Sequence, residues 1–153
     1  RIHSLSPFPN CTFQRMRTVI IMSVLITMGL SVRVKMDIDG TLTCSRPFNY
    51  KLTLVDDDRS VVFITPVELI AKTETKYSET AATKYAISGV ASDGFFEKEV
   101  EPFLVIEHSC VKDKLTTCVC YEFGALRADI KSTIDIDLES KQIGYCNMCD
   151  YTR

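Results

Sequence analysis

Apolar and polar residues alternate along this chain with a period of two, a pattern that a strand satisfies and a helix does not. Tyr50, Leu52 and Leu54 alternate with Lys51 and Thr53. Ile134, Ile136 and Leu138 alternate with Asp135 and Asp137, and Leu42 and Cys44 with Thr41 and Thr43. Successive strand side chains point to opposite faces, so each run offers one apolar and one polar face. A helix needs apolar residues every three or four positions, and no stretch sustains this beyond a single turn at Glu79–Ala82. The denser run Pro102–Ile106 suits a strand buried on both sides.

Turn-forming residues separate these runs. Asp39-Gly40 reads as a bulge in the first strand region, and Ser45-Arg46-Pro47 ends it. Asp56-Asp57-Asp58-Arg59 ends the second run, while Ser88-Gly89 and Ser92-Asp93-Gly94 bracket a loop. The result is about seven short strands, near 33–44, 50–56, 67–75, 83–88, 102–108, 116–123 and 132–138. Short strands without alternating helices predict an all-β fold, an antiparallel β-sandwich or barrel in one domain.

The N-terminal part reads differently. Met16 and Arg17 precede Thr18–Leu30, thirteen residues without a charge, with small residues at Gly29 and Ser31. Thirteen helical residues reach about 20 Å, short of the hydrocarbon core. The arrangement matches a secretory signal peptide over 16–31, cut near Ser31. Residues 1–15 then lie upstream of the native start, and residues 32–153 form the folded domain. Net charge falls from -2 to -5 when Arg1, Arg15 and Arg17 are removed. Without a concentrated basic field, nucleic acid and anionic lipid are poor partners. Six cysteines remain: Cys44, Cys110, Cys118, Cys120, Cys146 and Cys149. An even number behind a signal peptide predicts disulfides, and six allow fifteen pairings.

Four stretches resemble the nematode transthyretin-like family of small secreted proteins. They are Val34–Cys44 (VKMDIDGTLTC), Tyr50–Asp58 (YKLTLVDDD), Tyr85–Cys110 (YAISGVASDGFFEKEVEPFLVIEHSC) and Ile134–Cys146 with its IDIDLES run. The resemblance spans residues 34–146 and implies a transthyretin-like, immunoglobulin-style sandwich of two antiparallel sheets. Lys76–Lys84 departs from the family as a longer turn without its glycine, and two cysteines exceed the usual four. The family pattern maps onto Cys44, Cys110, one of Cys118 or Cys120, and Cys146. It implies bridges Cys44–Cys146 and Cys110–Cys118, with Cys120 and Cys149 forming a third bridge or staying as thiols.

The cysteines admit a competing chemistry. Cys118-Val-Cys120 and Cys146-Asn-Met-Cys149 bring four thiols close in sequence, and tetrahedral zinc accepts four thiolates. Only the second pair has the usual spacing, and an oxidising compartment favours disulfides. His108 stands without companion groups, because Glu107 faces the other way in a strand. It reads as a sheet-edge histidine held by a backbone carbonyl. Asp56, Asp57 and Asp58 read as solvated turn residues rather than a calcium site, which takes oxygens from several directions.

The same fold includes hydroxyisourate hydrolase, which works through histidines, an arginine and a Tyr-Arg-Gly-Ser tail. This chain keeps one histidine after residue 31 and ends Asp150-Tyr151-Thr152-Arg153, so no enzyme, cofactor or metal is expected. The expected function is that of a secreted, non-enzymatic extracellular binding module that recognises a protein or cell-surface partner. Phe95 and Phe96 are its surface-contact candidates. The alternative is an extracellular carrier of a small hydrophobic ligand. That role needs an enclosed cavity, whereas a surface binder has a filled core.

Overall fold

The computed structural model of the protein describes residues 32–57, 67–92, 99–112, 116–141 and 143–151. They belong to one compact unit, Ser31–Arg153. Nine strands and one short 3-10 turn are present among the described residues: β1 (Arg33–Thr43), β2 (Phe48–Asp56), β3 (Glu68–Lys72), β4 (Lys76–Ser78), β5 (Ala82–Ser92), β6 (Pro102–His108), β7 (Thr117–Glu122), β8 (Ile130–Thr133), β9 (Ile136–Asp137) and the turn Asn147–Asp150. They form two sheets. One runs β5-β1-β8, with β9 also on β1, and the other runs β3-β2-β6-β7, with β4 also on β2.

The alternation expected from the sequence is the alternation that packs. Val34, Met36, Ile38 and Leu42 of β1 meet Tyr85 and Ile87 of β5 and, across the sandwich, Phe48, Tyr50, Leu52 and Leu54 of β2. Leu104 and Ile106 of β6 and Val119 of β7 complete that layer. Strand β6 is central and buried on both faces, as its dense apolar run implies. Leu104 and Ile106 enter the inter-sheet core, while Val105 joins a second cluster on the outer face of the β2-β6-β7 sheet.

Four local expectations change. First, the sheets are not purely antiparallel: β1 pairs in parallel with β8 and with β9. The chain crosses from the second sheet to the first between β7 and β8, so no hairpin dictates the direction of β8. Second, the run 132–138 is two strands. At Gly40 an added Cβ would lie 1.9 Å from the Ile134 carbonyl oxygen. That carbonyl accepts the Tyr85 hydroxyl at 2.9 Å, and the Asp135 carboxylate takes the Thr41 N–H at 2.8 Å. Side chains thus replace the ladder where it breaks. Gly40 is not a bulge against β5, since the register runs unbroken through Gly40↔Tyr85.

Third, Ser88-Gly89 is no loop. Gly89 pairs with Met36 inside β5, and a Cβ there would meet Ile70 Cγ2 at 2.5 Å. The glycine admits β3 against β5 rather than turning the chain. Fourth, Lys76–Lys84 is not a long turn. It comprises β4, a tight bend held by the Ser78 hydroxyl donating to the Thr80 carbonyl at 2.8 Å, and the start of β5.

Candidate functional site

The six cysteines form three disulfides, but in pairings different from those implied by the family: Cys44–Cys110, Cys118–Cys149 and Cys120–Cys146. The bridges Cys44–Cys146, Cys110–Cys118 and Cys120–Cys149 are therefore corrected. Facing explains the difference. Cys44 and Cys110 follow the ends of β1 and β6 and sit in the inter-sheet core. Cys118 and Cys120 alternate with Val119 on β7 and point to the outer face, where Cys146 and Cys149 lie. A bridge from Cys110 to Cys118, or from Cys44 to Cys146, would have to pass through a sheet.

Each bridge has its own work. Cys44–Cys110 joins the two sheets across a separation of 66 residues. Arg46 secures the same corner, its guanidinium donating to the carbonyls of Cys110 at 3.0 Å and Ser109 at 3.1 Å. The other two bridges clamp the C-terminal segment against the second sheet. There Met148 and Cys149 cover Val55 and Val105, and the Cys120 N–H donates to the Gly144 carbonyl at 3.0 Å.

His108 lies at the end of a central strand, not at a sheet edge, and is 1% exposed. Its Nδ1 accepts the Cys110 N–H at 3.2 Å, so a backbone N–H rather than a carbonyl holds it. Nε2 has no hydrogen-bond partner among the described residues. Burial pushes its pKa down to about 4, against a weaker upward pull from Glu139, so the ring is neutral at physiological pH. Glu107 does face the opposite side, where it pairs with Lys51. The imidazole is thus neutral and buried, with its Nδ1 satisfied by the backbone.

The aspartates also divide. Asp56 is fully buried and accepts the Glu101 N–H at 2.7 Å, tying the end of β2 to the entry of β6. It is thus a structural acceptor and not a solvated turn residue. Asp58, Phe95 and Phe96 lie outside the described residues.

Among the open grooves on the described residues, two stand out by volume. One, of about 400 Å³, has Asn49, Lys51, Thr75, Glu107, His108 and Thr116 among its lining residues at one end of the β2-β6 sheet. The other, of about 430 Å³, lies between β7 and the segment after β9, with Val119, Leu138 and Ile143 in its wall and Lys112 and Glu139 at its rim. Leu69 on β3 and Tyr77 on β4 are large apolar side chains left exposed on strands bordering β2. Neither was singled out in the sequence. The short β4 is the missed signal, because reading Lys76–Lys84 as a loop hid the strand that presents Tyr77.

Among the described residues no helix is long and apolar enough to cross a membrane. Comparisons with family models, with curated proteins and with solved structures found no match.

Proposed function

We propose that this protein is a secreted, non-enzymatic binding module of the transthyretin-like kind that recognises an extracellular protein or cell-surface partner. The observation that carries the reading is the contrast between interior and surface. Among the described residues, side chains from β1, β2, β5 and β6 pack together between the sheets, and the grooves open outward. This favours recognition at the surface, where Leu69 and Tyr77 supply exposed apolar area on a sheet. Three disulfides fit an oxidising compartment. The carrier reading keeps one specific support, the groove walled by Val119, Leu138 and Ile143.

The test starts with the full reading frame expressed in eukaryotic cells. A secreted product that begins near Ser31 and gains the hydrogens of three reduced bridges supports the compartment. Saturable cell-surface binding that falls at least about tenfold in Leu69→Ser/Tyr77→Ser, with unchanged thermal stability, supports the surface. Retention in the cell with open thiols refutes the reading. Stoichiometric uptake of a hydrophobic fluorophore, blocked by Ile143→Trp, replaces it with the carrier.

A further inference from the structure

We propose that Cys118, Cys120, Cys146 and Cys149 become a tetrathiolate site for one zinc ion when a dithiol reductant opens their two bridges. This goes beyond the binding reading and stands or falls without it. The sulfurs of Cys118, Cys120 and Cys149 all lie within 4.8 Å of one another, and Cys146 is bonded to Cys120. Zinc with Zn–S bonds of about 2.3 Å has tetrahedral sulfur–sulfur edges of about 3.8 Å. Cys120 and Cys149 belong to different bridges, yet their sulfurs are 3.6 Å apart. Three of the four sulfurs therefore already share a volume the size of that tetrahedron, and Cys146, bonded to Cys120, needs only a side-chain rotation to join them once its bridge opens.

Backbone hydrogen bonds place them as well as the bridges do, among them the Cys120 N–H donating to the Gly144 carbonyl at 3.0 Å. Cys118 and Cys120 are fixed by the β6–β7 ladder, opposite Glu107 and Val105, and point the same way because they are two residues apart on a strand. Strand geometry makes the short C-x-C spacing workable. Cys146 and Cys149 are brought together by the 3-10 turn, where the Cys149 N–H donates to the Cys146 carbonyl at 3.1 Å. This C-x-x-C half has the spacing common in structural zinc sites. Buried Val105 and Met148 pack beside the sulfurs and limit water. The Cys44–Cys110 bridge lies on the other side of the sheet, in the inter-sheet core.

The chemistry balances. Each bridge takes two electrons and two protons from one dithiol, which closes to a cyclic disulfide. Two dithiols thus convert two bridges to four thiols. Zinc then displaces four protons, and the site carries a net charge of two negative units.

The experiment uses the full chain, reduced with a dithiol, desalted without oxygen and titrated with Co²⁺ followed by Zn²⁺. Expected are one Co²⁺ per chain with the visible absorption of tetrahedral thiolate coordination, bleaching by one Zn²⁺, and a retained strand signal in circular dichroism. Cys120→Ser should bind at least about tenfold more weakly, since even outer-sphere changes cost metal sites that much. Cys44→Ala/Cys110→Ala, which leaves all four ligands in place, should bind as the parent does. Absence of Co²⁺ uptake overturns the proposal. So does uptake undiminished by Cys120→Ser, or a reduced chain whose strand signal is lost and is not restored by metal.

Discussion

Acid should weaken this fold through a single buried ring, and the effect can be isolated. In the folded protein His108 has its pKa lowered to about 4, chiefly because burial disfavours the imidazolium. In the unfolded chain it titrates near 6.5. Above about pH 6.5 both states are neutral there, and the folded form keeps its full stability. Below that value the unfolded chain gains a proton that the folded chain refuses, so stability falls by about 1.36 kcal/mol per pH unit. The loss accumulates until about pH 4, where the folded ring also protonates, and totals on the order of 3 kcal/mol. Carboxylates protonate over the same range, so the parent alone cannot assign the loss. The assay is urea unfolding with bridges intact, at pH 7, 6, 5 and 4, on the parent and on His108→Gln, which cannot titrate. The parent should be the more stable at pH 7. Its advantage should shrink by about 3 kcal/mol at pH 4, with most of the change between pH 6 and 4. A difference that stays constant within about 0.5 kcal/mol would mean that His108 titrates alike in both states. The burial argument would then be wrong.

Two further perturbations probe the frame. Gly40→Ala should cost about 2–4 kcal/mol in urea unfolding, because its Cβ would collide with the Ile134 carbonyl at a backbone φ of 157°; a loss below about 0.5 kcal/mol would show that the β8–β9 break can move aside. Chain entropy assigns about 4.3 kcal/mol to Cys44–Cys110, for a separation of 66 residues, and less to Cys120–Cys146, whose 26-residue separation lies inside the loop already closed by Cys118–Cys149. Paired alanine substitutions should therefore rank in that order by unfolding midpoint, and a reversed order would place the larger contribution in the packing of the C-terminal clamp.

What could be read without coordinates was whatever depends on a side chain's own neighbours in sequence. Alternation placed Leu42, Cys44, Tyr50, Leu52, Leu54, Ile136 and Leu138 in the core, and the unbroken apolar run at Pro102–Ile106 announced a strand with no wet side. The losses share one cause, that a residue's role depends on a strand far away in sequence. Gly89 looks like a turn residue because glycine permits turns, yet it is small because Ile70 crosses it. Asp56 looks solvated beside Asp57, yet the Glu101 N–H needs its oxygen at the entry to β6. Lys35, Thr41 and Ser45 have their N–H groups taken by Asp129, Asp135 and Glu139, each 94 residues on, a regular stitching that replaces a continuous parallel ladder. Composition counts those acids and cannot place them.

The cysteines show where a finer reading was available. Cys118 and Cys120 flank Val119 in a strand that the sequence already located, so both had to leave the same face, opposite to Val119. Cys110 follows a strand whose residues Leu104, Ile106 and His108 face inward, and by the same parity it continues inward. Strand parity alone therefore excludes Cys110–Cys118 and sends both β7 cysteines to partners on one side. Those partners are Cys149 and Cys146, so the two bridges and the proposed zinc site draw on the same four cysteines. The two-residue period that sets the fold thus brings Cys118 and Cys120 to one face, and the C-terminal turn decides that Cys118 bonds Cys149 and Cys120 bonds Cys146.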